Sequence, residues 1–127
     1  MRDRHGHTVA TLGGELDLVD AAAVATALIA AADREPRIVL DLARLQFIDV
    51  SGIAALARAR KHARKAGGDL LLAAPRRQMM RLLATAASGY RFSVYASAEE
   101  AAGGFRDLGA GPGQLRPPRA LRALRQA

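Results

Sequence analysis

The chain has 127 residues, the length of one domain, and half of them are hydrophobic, mainly Ala, Leu and Val, so it can bury a core. It contains no cysteine, which excludes disulfides, thiol chemistry and cysteine-ligated zinc; with three Phe, two Tyr and no Trp, a pocket lined by aromatic rings is not expected either. The formal net charge is +7, a balance that often means nucleic acid or acidic partners, but no aromatic residues are interleaved with the cations for base stacking, so nucleic acid is not the expected partner.

Residues 1–7 (MRDRHGH) read as a flexible polar start. Thr8 to Gly14 carries β-branched residues and a glycine stop, and reads as a strand. Asp17 or Asp20 is placed to cap an alanine-rich helix over residues 21–32, which Arg34, Glu35 and Pro36 close. The apolar run here is too short to span a bilayer and lacks a signal-peptide start, so a soluble cytoplasmic protein is expected.

Residues 38–42 are apolar, short and partly β-branched, which suits a strand buried on both faces, with Phe47 and Ile48 packing just after it. From Ser51 to Ala66, Ile53, Leu56 and Ala57 recur at helical spacing. Arg58, Lys61, Arg64 and Lys65 form the wet face, and Gly67-Gly68 supplies the stop. Residues 69–74 read as another buried strand. Pro75 suits the first turn of a helix over about 76–87, with an apolar face of Met79, Leu82 and Leu83 and an end at Ser88-Gly89. Residues 91–97 read as a last strand. Ser97 and Glu100, at capping-box spacing, open a final helix.

From residue 104 to 127 the composition turns to Gly, Pro and Arg. This part reads as a disordered basic tail, with an anionic membrane or another subunit as candidate contacts and nucleic acid as a weaker one. The folded domain is therefore placed at residues 8–103. Strands alternating with helices over short connections specify an α/β layer protein with a partly parallel sheet.

One turn concentrates the polar chemistry: Asp49-Val50-Ser51-Gly52, between a buried apolar run and a helix. Capping explains it most simply. Asp49, and Ser51 from the first turn, can accept hydrogen bonds from free helical N–H groups, and Gly52 admits a close backbone. A nucleophilic Ser51 would need a nearby base. His5 and His7 lie in the polar start, and His62 is about three turns along the same helix, out of reach. No metal-ligand spacing and no phosphate-binding loop is present, and no cofactor is expected. A third reading is a protein-binding surface at an exposed, positive helix start. A phosphate there would add about −1.5 to −2 charges.

The segments GELDLVDAAAV (14–24), IVLDLARLQFIDVSGIAAL (38–56), ARKAGGDLLLAAP (63–75) and VYASAEEA (94–101) occur in this order. Together they resemble the anti-sigma factor antagonist family, the STAS domain, over about residues 8–102. The resemblance implies an α/β, STAS-like fold: a four- or five-stranded mixed sheet with about four helices packed largely on one side. It implies no enzymatic activity. It implies a bacterial regulator of transcription that binds a kinase-type anti-sigma factor and so frees a sigma factor. The kinase counters by phosphorylating the Ser or Thr directly after the Asp.

Here Asp49 and Gly52 match that pattern, Ser51 matches its second hydroxyl, and Val50 holds the acceptor position. Valine cannot be phosphorylated. Ser51 is the alternative acceptor, turned by about 100° along the helix and so out of line for the kinase. The resemblance places Asp17, Asp49, Val50, Ser51 and Gly52 on the partner-binding surface, with a helix cap as the competing role for Asp17. Without the acceptor, two readings stand: an antagonist that cannot be switched off, or a non-switching interaction module such as a sensory scaffold or a transport accessory subunit. The short start implies a missing or shortened first edge strand. An exposed edge also invites pairing with a second copy as a homodimer.

Overall fold

In the computed structural model, residues 6–86 and 92–109 are described, and every strand pairing among them is parallel. The elements are β1 (Thr8–Thr11), β2 (Gly14–Leu16), α1 (Leu18–Arg34), β3 (Arg37–Asp41), β4 (Leu45–Ile48), α2 (Val50–Lys65), β5 (Asp69–Ala73), α3 (Arg77–Ala86), β6 (Val94–Tyr95) and α4 (Ala98–Gly109). Four strands form one sheet in the order β1-β3-β5-β6, and β2 and β4 form a separate two-stranded ribbon.

The central strands are apolar on both faces because both faces are covered. Alternate residues Ile38, Leu40, Leu70 and Leu72 meet α1, α2 and α3, through Leu28, Leu56 and Leu83 among others. The intervening Val39, Leu71 and Ala73 meet Ala101 and Phe105 of α4. Three helices therefore lie on one face and one on the other. Helices α1 and α2 run side by side, and the small residues Ala21, Ala25 and Ala55 bring them close. One charged pair ties α2 to the sheet. Arg60 Nε donates to Asp69 Oδ1 at 3.0 Å, and the guanidinium lies 5.9 Å from the centre of the Phe92 ring.

Several expectations change. The stretches 14–16 and 45–48 form strands of their own, where Gly14 reads as a strand stop and Phe47-Ile48 only as packing after the strand at 38–42. Each is too short for a readable alternation, and each is stabilised by the other rather than by its own pattern. Phe47 does not pack inward with Ile48; it points outward from β4 and is 42% exposed. Pro75 lies just before α3 rather than in its first turn, and Ala74 ahead of it takes a left-handed φ of 57°. The last strand covers only Val94–Tyr95.

The final helix begins as expected, with the Glu100 N–H donating to Ser97 Oγ at 3.1 Å. It does not stop near Gly103 but continues to Gly109. Gly104 passes close to the Tyr95 ring, and Phe105 is buried against the sheet. The His7 ring lies 6.1 Å from that of Phe105, so His7 belongs to this layer and not to a loose start. The edge strand that is present is the four-residue β1. The expectations for residues 1–5, for the Ser88-Gly89 stop and for the basic tail past Gly109 fall outside the described residues.

Because Phe105 fills the second face, Phe105→Ala is expected to cost about 3–5 kcal/mol in a denaturant titration. A chain ending at Gly104 should melt below one ending at Gly109 when followed by circular dichroism. Equal midpoints would show that α4 ends where the composition changes.

Candidate functional site

Strands β2 and β4 end level with one another, with Leu16 in register with Ile48. In each strand the next residue is an aspartate with extended backbone, and a helix follows at once. Asp17 Oδ1 accepts from the Val19 N–H at 3.1 Å, capping α1. Asp49 Oδ1 accepts from the Gly52 N–H at 2.9 Å, capping α2. Capping thus accounts for the side chains of both aspartates. Parallel pairing then sets the two helix starts next to each other, each with its positive end facing one carboxylate.

The junction is tight. The Asp49 N–H donates to the Leu16 carbonyl at 3.1 Å, carrying the ribbon one step past Ile48. A Cβ on Gly52 would stand 2.6 Å from Ile48 Cγ1 and 2.8 Å from the Leu16 oxygen. Glycine is what lets α2 sit directly on the strand ends. Gln78 of α3 holds the other side of β4. Its Oε1 accepts from the Ile48 N–H at 3.1 Å and its Nε2 donates to the Ile48 carbonyl at 2.9 Å, as a neighbouring strand would.

Beside the exposed Asp20, the junction shows large apolar side chains to solvent. Val50 is 55% exposed, Leu18 73% and Val19 85%. With Phe47, these are four of the five large apolar residues exposed among the described residues. Ser51, beside Val50, is half-buried. Among the described residues no histidine is bonded to it: His62 bonds instead to Asp33 of α1 at 2.7 Å, near the opposite ends of both helices. Among the described residues no three His, Asp or Glu side chains gather as metal ligands would.

The five residues singled out in the sequence, Asp17, Asp49, Val50, Ser51 and Gly52, therefore lie at one junction. Leu18, Val19 and Gln78 were not singled out. The first two could have been found by aligning Leu16-Asp17-Leu18-Val19 with Ile48-Asp49-Val50-Ser51, two copies of a strand end, a cap and an apolar helix start. Gln78 gives no local signal, because its role depends on where α3 lands, thirty residues away along the chain.

The family model for the STAS domain matches residues 1–101. Among solved structures, a protein from Thermotoga maritima described as an anti-sigma factor antagonist superposes with a TM-score of 0.69 at 19% identity, covering 84% of this chain and 92% of its own. The unphosphorylated anti-sigma factor antagonist SpoIIAA superposes with a TM-score of 0.66 at 24% identity over 84% and 92% of the two chains. A sulfate transporter family protein from Wolinella succinogenes gives 0.64 at 20% identity over 87% and 93%. At these identities the likeness is one of fold. A search of curated protein sequences finds no match.

Gly52→Ala is expected to cost about 1–3 kcal/mol by urea denaturation, because the nearest obstacles include backbone that cannot step aside. Gln78→Ala should cost about 1–3 kcal/mol, since it strands both polar groups of Ile48. A neutral result at either position would mean that the junction is looser than these contacts imply.

Proposed function

This chain belongs to the STAS domain family, and within it we propose that it is an anti-sigma factor antagonist: a non-enzymatic cytoplasmic regulator, without a cofactor, that binds a kinase-type anti-sigma factor and so releases a sigma factor. The observation that carries this reading is the apolar surface at the paired helix starts, with Val50 at its centre. A solvent-facing valine adds to a protein-binding surface and offers a kinase nothing to modify. Asp17 and Asp49 hold the two helix starts in place. Gly52 seats α2. Leu18, Val19 and Val50 supply the contact.

Val50 occupies the family's acceptor position, so the antagonist is held permanently in its binding form. Ser51 does not replace it. Ser51 is half-buried, and its side chain is rotated from that of Val50 by about 100° around the helix. The same lack of an acceptor favours one second reading, a non-switching interaction module of the kind carried by transport machinery, and the fold shared with a sulfate transporter family protein supports keeping it.

The test is phosphorylation with a kinase-type anti-sigma factor and ATP, read by intact-mass spectrometry alongside binding. The wild-type protein should bind and stay unmodified. Val50→Ser should gain one phosphate and lose binding, and Val50→Asp should bind weakly from the outset, because a fixed charge replaces apolar contact. If neither the wild-type protein nor Val50→Ser binds or is modified, the antagonist reading gives way to the transport or scaffold module.

A further inference from the structure

The outward sides of α2 and α3 carry six exposed cations, Arg58, Lys61, Arg64, Lys65, Arg77 and Arg81. Neither helix contains an acidic residue. Between Val50 and Ala98 the only acid is Asp69, which is buried and already held by Arg60. None of the six cations has an ion-pair partner among the described residues. Both helices lie on the same face of the sheet, and on both the cations are exposed. Arg58, Lys61 and Lys65 follow i, i+3, i+7 spacing and form one line along α2.

This line begins two turns below Val50, about 12 Å along the helix axis. It is therefore continuous with the apolar junction at the start of the same helix. We propose that the cationic side of α2, extended by α3, is a docking surface for an acidic segment of a protein partner. The segment places apolar side chains against Leu18, Val19 and Val50 and carboxylates along Arg58, Lys61 and Lys65.

Charge alone would also suit a lipid or a nucleic acid, and the side chains between the charges favour neither. On α2 they are alanines, too small to enter a bilayer, and the exposed Leu, Val and Phe side chains lie elsewhere. Neither helix carries a Phe, Tyr or Trp to stack on a base, the His62 imidazole is bonded to Asp33, and the one side-chain amide, Gln78, is occupied by Ile48. The proposal rests on the antagonist reading only in taking the partner to be a protein.

The experiment uses the full chain and a synthetic helical peptide with leucines at one end and glutamates along one face, titrated by fluorescence anisotropy. Short duplex DNA and phosphatidylcholine vesicles containing phosphatidylglycerol are run in parallel. The expected result is peptide binding that weakens about tenfold or more in the combined Arg58→Glu, Lys61→Glu, Lys65→Glu variant. It should weaken several-fold in Val50→Asp, and its association rate should fall as salt rises. All four positions are exposed, and circular dichroism checks that the variants fold.

Absence of peptide binding, or equal affinity in the charge-reversed variant, would overturn the proposal. So would DNA or vesicles binding as tightly as the peptide with the same loss on charge reversal. No anti-sigma factor is present in this titration, so it can fail while the kinase assay succeeds, or succeed while that assay fails.

Discussion

The level pairing of β2 with β4 is the constraint on which the rest of this domain depends. Leu16 and Ile48 end together, so the aspartates that follow them cap neighbouring helices rather than distant ones. From that arrangement come the side-by-side course of α1 and α2, the alanine contacts between them, and the apolar surface around Val50. Two groups keep the pairing tight. Gly52 removes the side chain that would push α2 off the strand ends, and Gln78 satisfies the edge of β4 that β2 leaves open.

On the proposed reading, binding at this junction is separate from switching. The surface is made by caps and by close backbone packing, and none of those contacts needs a hydroxyl at position 50. On the proposed reading, the acceptor hydroxyl can therefore be absent while the apolar surface around Val50 is kept. The cations of α2 lie further along the same helix, where they also face its negative end favourably. One helix thus presents an apolar start and a basic finish.

Much of this was legible in the sequence, and the failures share a cause. The central strands were visible because covered faces demand long apolar runs, as in residues 38–42 and 69–74. The turn at Asp49 was visible because capping leaves a chemical trace. Strands β2 and β4 were not, since three or four residues cannot show an alternation and Phe47 misleads by pointing outward. Gly103-Gly104 looked like a break. Glycine is a poor helix former, but the helix persists because Gly104 fits under Tyr95 and Phe105 gains burial one residue later. In each case a contact distant along the chain overrode the local preference.

The parallel pairing of every described strand also constrains the order in which this chain can mature on a ribosome. Parallel neighbours cannot close as a hairpin; each pairing waits for a crossover to be completed. Strand β2 has no partner until residues 17–44 have been made and β4 has followed them. The Asp17 cap is local and can form early, but the surface it shares with Asp49 does not exist on a nascent chain that lacks Ile48 and Gly52. Strand β1 likewise waits for β3, while β3 and β5 pair back to an earlier strand at once and gain their second neighbours when β5 and β6 follow. Such non-local closure is slow relative to helix formation. During synthesis the alanine-rich α1 therefore precedes the strand pairing that later holds it, and the two helix starts come together only once residues 45–52 have followed.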